Sequence, residues 1–86
     1  MATCGVANLQ EENCEFAVFV DICFNRYIHG DWGDVCFEDW QSNDMAVKCG
    51  ERIHASYNNA DHPEWRIWII TEWDRSVATI LFPDEY

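Results

Sequence analysis

Positive charge is what this sequence most conspicuously lacks: five Lys and Arg stand against sixteen Asp and Glu, a formal net charge of −11. Direct attachment to a phosphate backbone or an anionic lipid surface is therefore disfavoured. Long apolar runs are missing too, none approaching the roughly 20 residues that span a bilayer, so no membrane segment is expected. The opening MATCGVANLQEEN has neither the basic nor the apolar region of a secretory leader, which sets the expectation of a reducing cytoplasm. Close cysteine pairs are absent. Cys4, Cys14, Cys23, Cys36 and Cys49 are odd in number and spaced by 10, 9, 13 and 13 residues, which fits neither a disulfide framework nor a structural zinc site. They are expected to be small core or near-core thiols. His29, His54 and His62 share no ligand spacing with them or with one another, so no metal or cofactor is expected.

What is present describes a folded domain. Its 86 residues suffice for one modest core and no second domain, and 49% apolar with 15% aromatic residues is the balance of a globular chain. Residues 1–12 carry little pattern and read as a frayed arm or a short edge strand. Phe16, Phe19, Val20, Cys23, Phe24 and Tyr27 recur at helical spacing behind a possible Asn13 cap, yet Phe16, Val18, Val20, Ile22 and Phe24 also alternate as a strand would. Both readings of 14–28 stay open, and Gly30 ends the element in either. Asp31-Trp32-Gly33-Asp34 reads as a tight turn, with Asp34 placed to cap a helix over 35–49 that buries Cys36, Trp40, Asn43 and Val47 and stops at Gly50. Three strand-like runs follow, around Ile53–Tyr57, Trp65–Thr71 and Ser76–Phe82, with turns at 58–63 and at Asp74-Arg75. The expected fold is α+β, with two helices packed on a three-stranded antiparallel meander and a possible short N-terminal strand.

Certain segments carry a resemblance. HGDWGDV with SND shortly after, and RIHASY followed by IWIITEWDRSVATILFPDEY, resemble a family of small bacterial and phage proteins. Its members share a pattern close to RHxxGDWG, a short acidic helix, SAY and WIITEADRSVTTILLPEEY. They are carried on plasmids and other mobile elements under labels such as plasmid-related protein or type I restriction subunit M. The resemblance covers roughly residues 26–86, most specifically in the last third. It implies a common fold and a mobile element within a bacterial host, and it brings no activity with it. Tyr27 stands where the family pattern usually has histidine. Trp73 replaces a small residue, and Phe37, Trp40, Trp65 and Phe82 are large aromatics where smaller or polar residues are expected.

Catalysis would start from His29 with Asp31 and Asp34, or from Glu72 with Asp74, but turn formation and helix capping account for the first set and a hairpin ion pair for the second. The chain is therefore not read as an enzyme. Acidity and aromatic surplus lead elsewhere. Asp31, Asp34, Glu38, Asp39 and Asp44 run without a basic residue among them, and five tryptophans are more than so small a core accommodates easily. Trp32 and Trp68 are expected in the core; Trp40, Trp65 and Trp73, with Phe37, are expected to face a partner. The bland alternatives are a solvated acidic surface and an unusually aromatic core. The functional expectation is an acidic inhibitor that binds a host defence complex, a CRISPR effector or restriction enzyme, and mimics nucleic acid in its basic channel. A non-inhibitory accessory protein and a small enzyme are the alternatives, and self-association is a plausible addition.

Overall fold

Asn13 decides what the apolar alternation leaves open. In the computed structural model, which describes residues 2–73 and 77–85, its side-chain oxygen accepts the N–H groups of Glu15 and Phe16 at 3.0 and 3.2 Å. Its own N–H closes the preceding helix on the Leu9 carbonyl. One residue therefore ends α1 (Cys4–Glu12) and starts α2 (Cys14–Ile28), supplying partners to donors and acceptors that helix ends leave open. α2 buries Phe16, Val20 and Cys23 as its helical spacing predicts, whereas Phe24 stays exposed.

Residues 1–12 are the first correction, because they hold a helix in place of a frayed arm. Strand character is confined to one parallel bridge, Ala2 to Ile80, with the Thr3 N–H bonded to the Ile80 carbonyl at 3.0 Å. The acceptor at the start of α1 comes from the far end of the chain. Glu85 accepts the Thr3 hydroxyl at 2.6 Å, the Gly5 N–H at 3.3 Å and the Phe82 N–H at 3.0 Å. The expected α+β layout is present, with one helix more than the two expected.

The sheet is an antiparallel meander of β1 (Ile53–Tyr57), β2 (Ile67–Thr71) and β3 (Ala78–Leu81), in that order, followed by a 3-10 turn at Pro83–Glu85. Ala55, Ile69 and Ile80 stand in register, and with Ile53, Tyr57 and Ile67 they form one core with Val6, Phe16, Val20 and Cys23. Fully burying each large side chain contributes about 1.5–3 kcal/mol. His54, Ser56, Trp68, Ile70, Thr79 and Leu81 alternate onto the opposite face. The turn expected at Asp74-Arg75 lies outside the described residues.

α3 (Phe37–Cys49) corrects two expectations. It begins two residues later than expected, at the N-cap Cys36, and Asp34 does not cap it. Its inward residues are Asn43 and Ala46 with Trp40 half-buried, whereas Cys36 and Val47 are exposed. Gly50 does close it in the left-handed conformation, φ 73°. The displaced stripe follows from what α3 covers, which is the free edge of β1. Asn43 gives its amide N–H to the His54 carbonyl at 2.8 Å and takes the His54 N–H at 3.2 Å, as a neighbouring strand would. Two residues on, the Ser56 N–H bonds the Trp32 carbonyl and the Ser56 carbonyl takes the Asp34 N–H, at 3.2 and 2.6 Å. The Asp34 carboxylate finishes the row with the Asn58 N–H at 2.9 Å.

The cysteines also depart from expectation, since Cys23 alone is buried and the other four are exposed free thiols. Burial pushes the Cys23 thiol up to about 12. Among the described residues no helix is long and apolar enough to cross a membrane.

Gly33 lets the edge close. Its φ is +80°, and a Cβ there would overlap the Ser56 carbonyl oxygen and come within 2.6 Å of the Tyr57 ring. Gly33→Ala is expected to lose about 2 kcal/mol or more, and Asn43→Ala about 1–3 kcal/mol by stranding the His54 backbone. Urea unfolding of both variants checks this, with Gly30→Ala as control, because a Cβ at Gly30 meets nothing within 4 Å although φ is +81°.

Candidate protein-binding surface

The acidic run from Asp31 to Asp44 divides into two kinds of carboxylate. Asp31 is held by the Arg26 guanidinium through two bonds of 2.8 and 3.2 Å and accepts the Gly33 N–H at 3.0 Å. Its carbonyl also receives the Tyr57 hydroxyl at 2.6 Å. Asp34 seals β1, and Asp44 accepts the indole N–H of the buried Trp32 at 2.8 Å. These three acids hold the fold. Glu38 and Asp39 differ, standing exposed in the first turn of α3, where negative charge complements the helix dipole. Among the described residues no ion pair engages either one.

The aromatic residues divide in the same way. Phe37 is 74% and Trp73 68% exposed, as expected of partner-facing groups. Trp40 is half-buried and packs against the core. Trp65 is the clear correction. It is only 6% exposed, edge-on to Phe16 at 5.4 Å and stacked on the His62 ring at 3.8 Å. Its place just before β2 turns it beneath α2, and His62, which reads as a plain turn residue, covers it. Trp32 is in the core as expected, whereas Trp68 lies half-buried on the opposite sheet face, its ring edge-on to His54 at 4.5 Å.

Further exposed apolar groups escape the sequence reading. Val18, Ile22, Phe24 and Ile28 of α2 and Met45 and Val47 of α3 are all exposed. The signal was there: the strand-like alternation of 16–24 arises because this helix is apolar on both sides. Ile28 and Val47 flank a groove of about 640 Å³ whose walls include Tyr27, Trp32, Ile53 and Thr71. The Tyr27 and Thr71 hydroxyls bond each other and the Trp32 indole is held by Asp44, while Lys48 adds one charged group to the lining. The groove therefore presents mainly apolar wall, suited to a side chain or helix face of similar character.

In the first candidate acid–base set, His29 and Asp31 are engaged in bonds of the fold. His29 donates a ring N–H to the Asn25 carbonyl at 2.7 Å, and the Asp31 carboxylate is engaged by Arg26. Glu72 lies 3.5 Å from Arg52, and Asp74 is outside the described residues. Among the described residues no three His, Cys, Asp or Glu side chains gather as metal ligands. No known protein family, no curated protein and no solved structure matches this chain.

Two outcomes follow from this division of labour. Trp65→Ala is expected to cost about 3–5 kcal/mol, whereas Phe37→Ala and Trp73→Ala should stay within about 0.5 kcal/mol of the parent, as thermal unfolding will show. The second concerns pH. The Arg26 guanidinium holds Asp31 below the usual carboxylate range; burial opposes it, and the Gly33 N–H adds a smaller lowering. The resulting stabilisation is present above the unfolded value near about 4 and is lost as pH falls through the lower folded value. Stability should fall on acidification below about pH 5, and less steeply in Arg26→Gln, which lacks the largest part of the Asp31 contribution.

Proposed function

We propose that the chain is an acidic protein-binding inhibitor from a phage or other mobile element. It acts stoichiometrically in the bacterial cytoplasm on a host defence complex that handles nucleic acid, of the CRISPR or restriction type. The observation carrying this reading is Phe37, 74% exposed on the first turn of α3 and followed directly by Glu38 and Asp39, which no ion pair engages among the described residues. An exposed aromatic beside unneutralised carboxylates suits a basic, partly apolar partner surface. The aromatic ring supplies buried area, and the carboxylates supply steering and register. The net charge of −11 adds long-range attraction to a channel built for phosphates. By this reading the protein binds such a channel and excludes DNA or RNA from it.

The apolar groove between α2 and α3 favours a second reading, a non-inhibitory accessory protein docked on an enzyme away from its nucleic-acid channel. Its exposed surroundings on α2 also suit self-association. Binding measured against purified defence complexes, with and without bound DNA, separates these readings. Inhibition predicts that DNA competes and that Phe37→Ala or Glu38→Lys weakens binding roughly 30-fold, the effect of an interface hot spot. Binding that ignores both DNA and these substitutions, and weakens in Val47→Asp, selects the accessory role.

A further inference from the structure

α2 carries a second periodicity beside the one that enters the core. Glu15, Val18, Ile22, Asn25 and His29 follow one another at intervals of 3, 4, 3 and 4 residues, the spacing that keeps side chains on one seam between packed helices. All five are exposed, Val18 at 56% and Ile22 at 54%. Glu15 lies 3.4 Å from the His62 ring and still stands mostly in solvent. The core takes Phe16, Val20 and Cys23 from the other side of the helix, and Val18 and Ile22 have no part in it.

Charge decides what covers this seam. α2 holds two acids and one base, a net −1 of the chain's −11, so it offers a basic surface little and suits a surface equally poor in charge. The seam is also complementary to itself, as a two-fold contact requires. Its acid, Glu15, stands in the first turn, and its bases stand at the other end, Arg26 in the last turn and His29 at the cap. When two copies cross antiparallel about Ile22, Ile22 meets Ile22, Val18 meets Asn25, and Glu15 meets His29. The helix dipoles then run in opposite directions, which is favourable. A parallel pair sets Glu15 against Glu15 and His29 against His29. Asn25, a polar residue within the seam, favours one register over its slipped neighbours at a cost in stability.

We propose that α2 pairs antiparallel with α2 of a second copy of this chain, forming a two-fold dimer centred on Ile22. The 15 residues of α2 make a seam about 22 Å long and, with side chains, about 10 Å wide, which is small beside the roughly 800 Å² per partner of a standard interface. Two bodies of net charge −11 also repel each other. The dimer is therefore weak and reversible, with a dissociation constant on the order of 100 μM. Its salt dependence is opposite to that of docking on a basic surface, because screening relieves repulsion between copies and weakens attraction to a base-rich partner. The inference uses other residues than the defence-complex reading and does not rest on it.

Sedimentation equilibrium of the full chain tests this, with a reductant present so that the four exposed thiols do not link copies covalently. The expected result is a reversible monomer–dimer equilibrium that tightens about threefold or more between about 20 mM and about 500 mM NaCl. Ile22→Asp should loosen it about tenfold or more, with a urea midpoint near that of the parent. Met45→Asp, the same change in charge at an exposed apolar residue of α3, should leave it within about twofold. Val18→Asp takes the place of Ile22→Asp if that variant does not fold. Orientation is read at the higher salt: His29→Glu weakens the pair, and Glu15→Lys in the same chain restores it, because each copy's new acid then meets the other's new base. In a parallel pair like charges still meet and nothing is restored. A chain that stays monomeric at about 1 mM, a dimer that weakens with salt, an equal response to Ile22→Asp and Met45→Asp, or no recovery in the double variant overturns the proposal.

Discussion

A β-strand at the margin of a sheet carries a row of N–H and C=O groups that must be bonded, hydrated or left as a template for association. In this protein the outer row of β1 is sealed three times within five residues, by an Asn43 amide, by the backbone of Trp32–Asp34 and by the Asp34 carboxylate. Much of the remaining structure depends on this seam. It sets where α3 lies, since Asn43 must face the strand. It brings residues 31–34 against Tyr57, whose hydroxyl bonds the Asp31 carbonyl, and it requires the glycine at 33. Arg26, crossing from α2 to Asp31 and lying 5.1 Å over the Tyr57 ring, joins the seam to the helical layer.

The same seam explains what could be read from the sequence. The meander was legible, because Ile53-Ala55-Tyr57 alternates with the strand period of two and the run Trp65–Thr71 is apolar on both faces, as a central strand is. α2 was half legible, its apolar period ambiguous until Asn13 committed the chain to a helix. The start and inner face of α3 were misread because Asp34 looks like a cap, and an Asn at a core-facing position does not announce itself as a strand substitute. Local sequence shows that a group can bond and does not show which distant backbone it meets. α1 escaped for the same reason, its partner Glu85 lying 80 residues from Gly5.

Charge followed a similar course. Read along the chain, Asp31 to Asp44 is one acidic run, and the fold assigns most of it to internal work: an ion pair, a sheet edge and an indole. Net charge alone therefore overstates the surface offered to a partner. What stays exposed without such internal work is narrower, the first turn of α3 with Phe37, Glu38 and Asp39. The aromatics contract likewise, Trp65 moving into the core and Trp73 and Phe37 remaining outside. The apolar outer side of α2 was overlooked because an amphipathic reading assumes that one side of a helix is polar, and this helix does not comply.

Glu85 has a consequence for the order in which the fold is completed. One carboxylate holds the start of α1, through Thr3 and Gly5, and the N–H that follows β3, while Thr3 bonds Ile80 on that strand's outer side. Thr3 and Gly5 thus have a partner that is synthesised some 80 residues after them. On the ribosome α1 and α2 can pair as neighbours, but the first helix lacks its closing acceptor until the final strand has emerged. Assembly thus waits for residues 80–85 and then proceeds through contacts of very long sequence separation, a topology that favours cooperative, comparatively slow closure over stepwise growth from α1 onward.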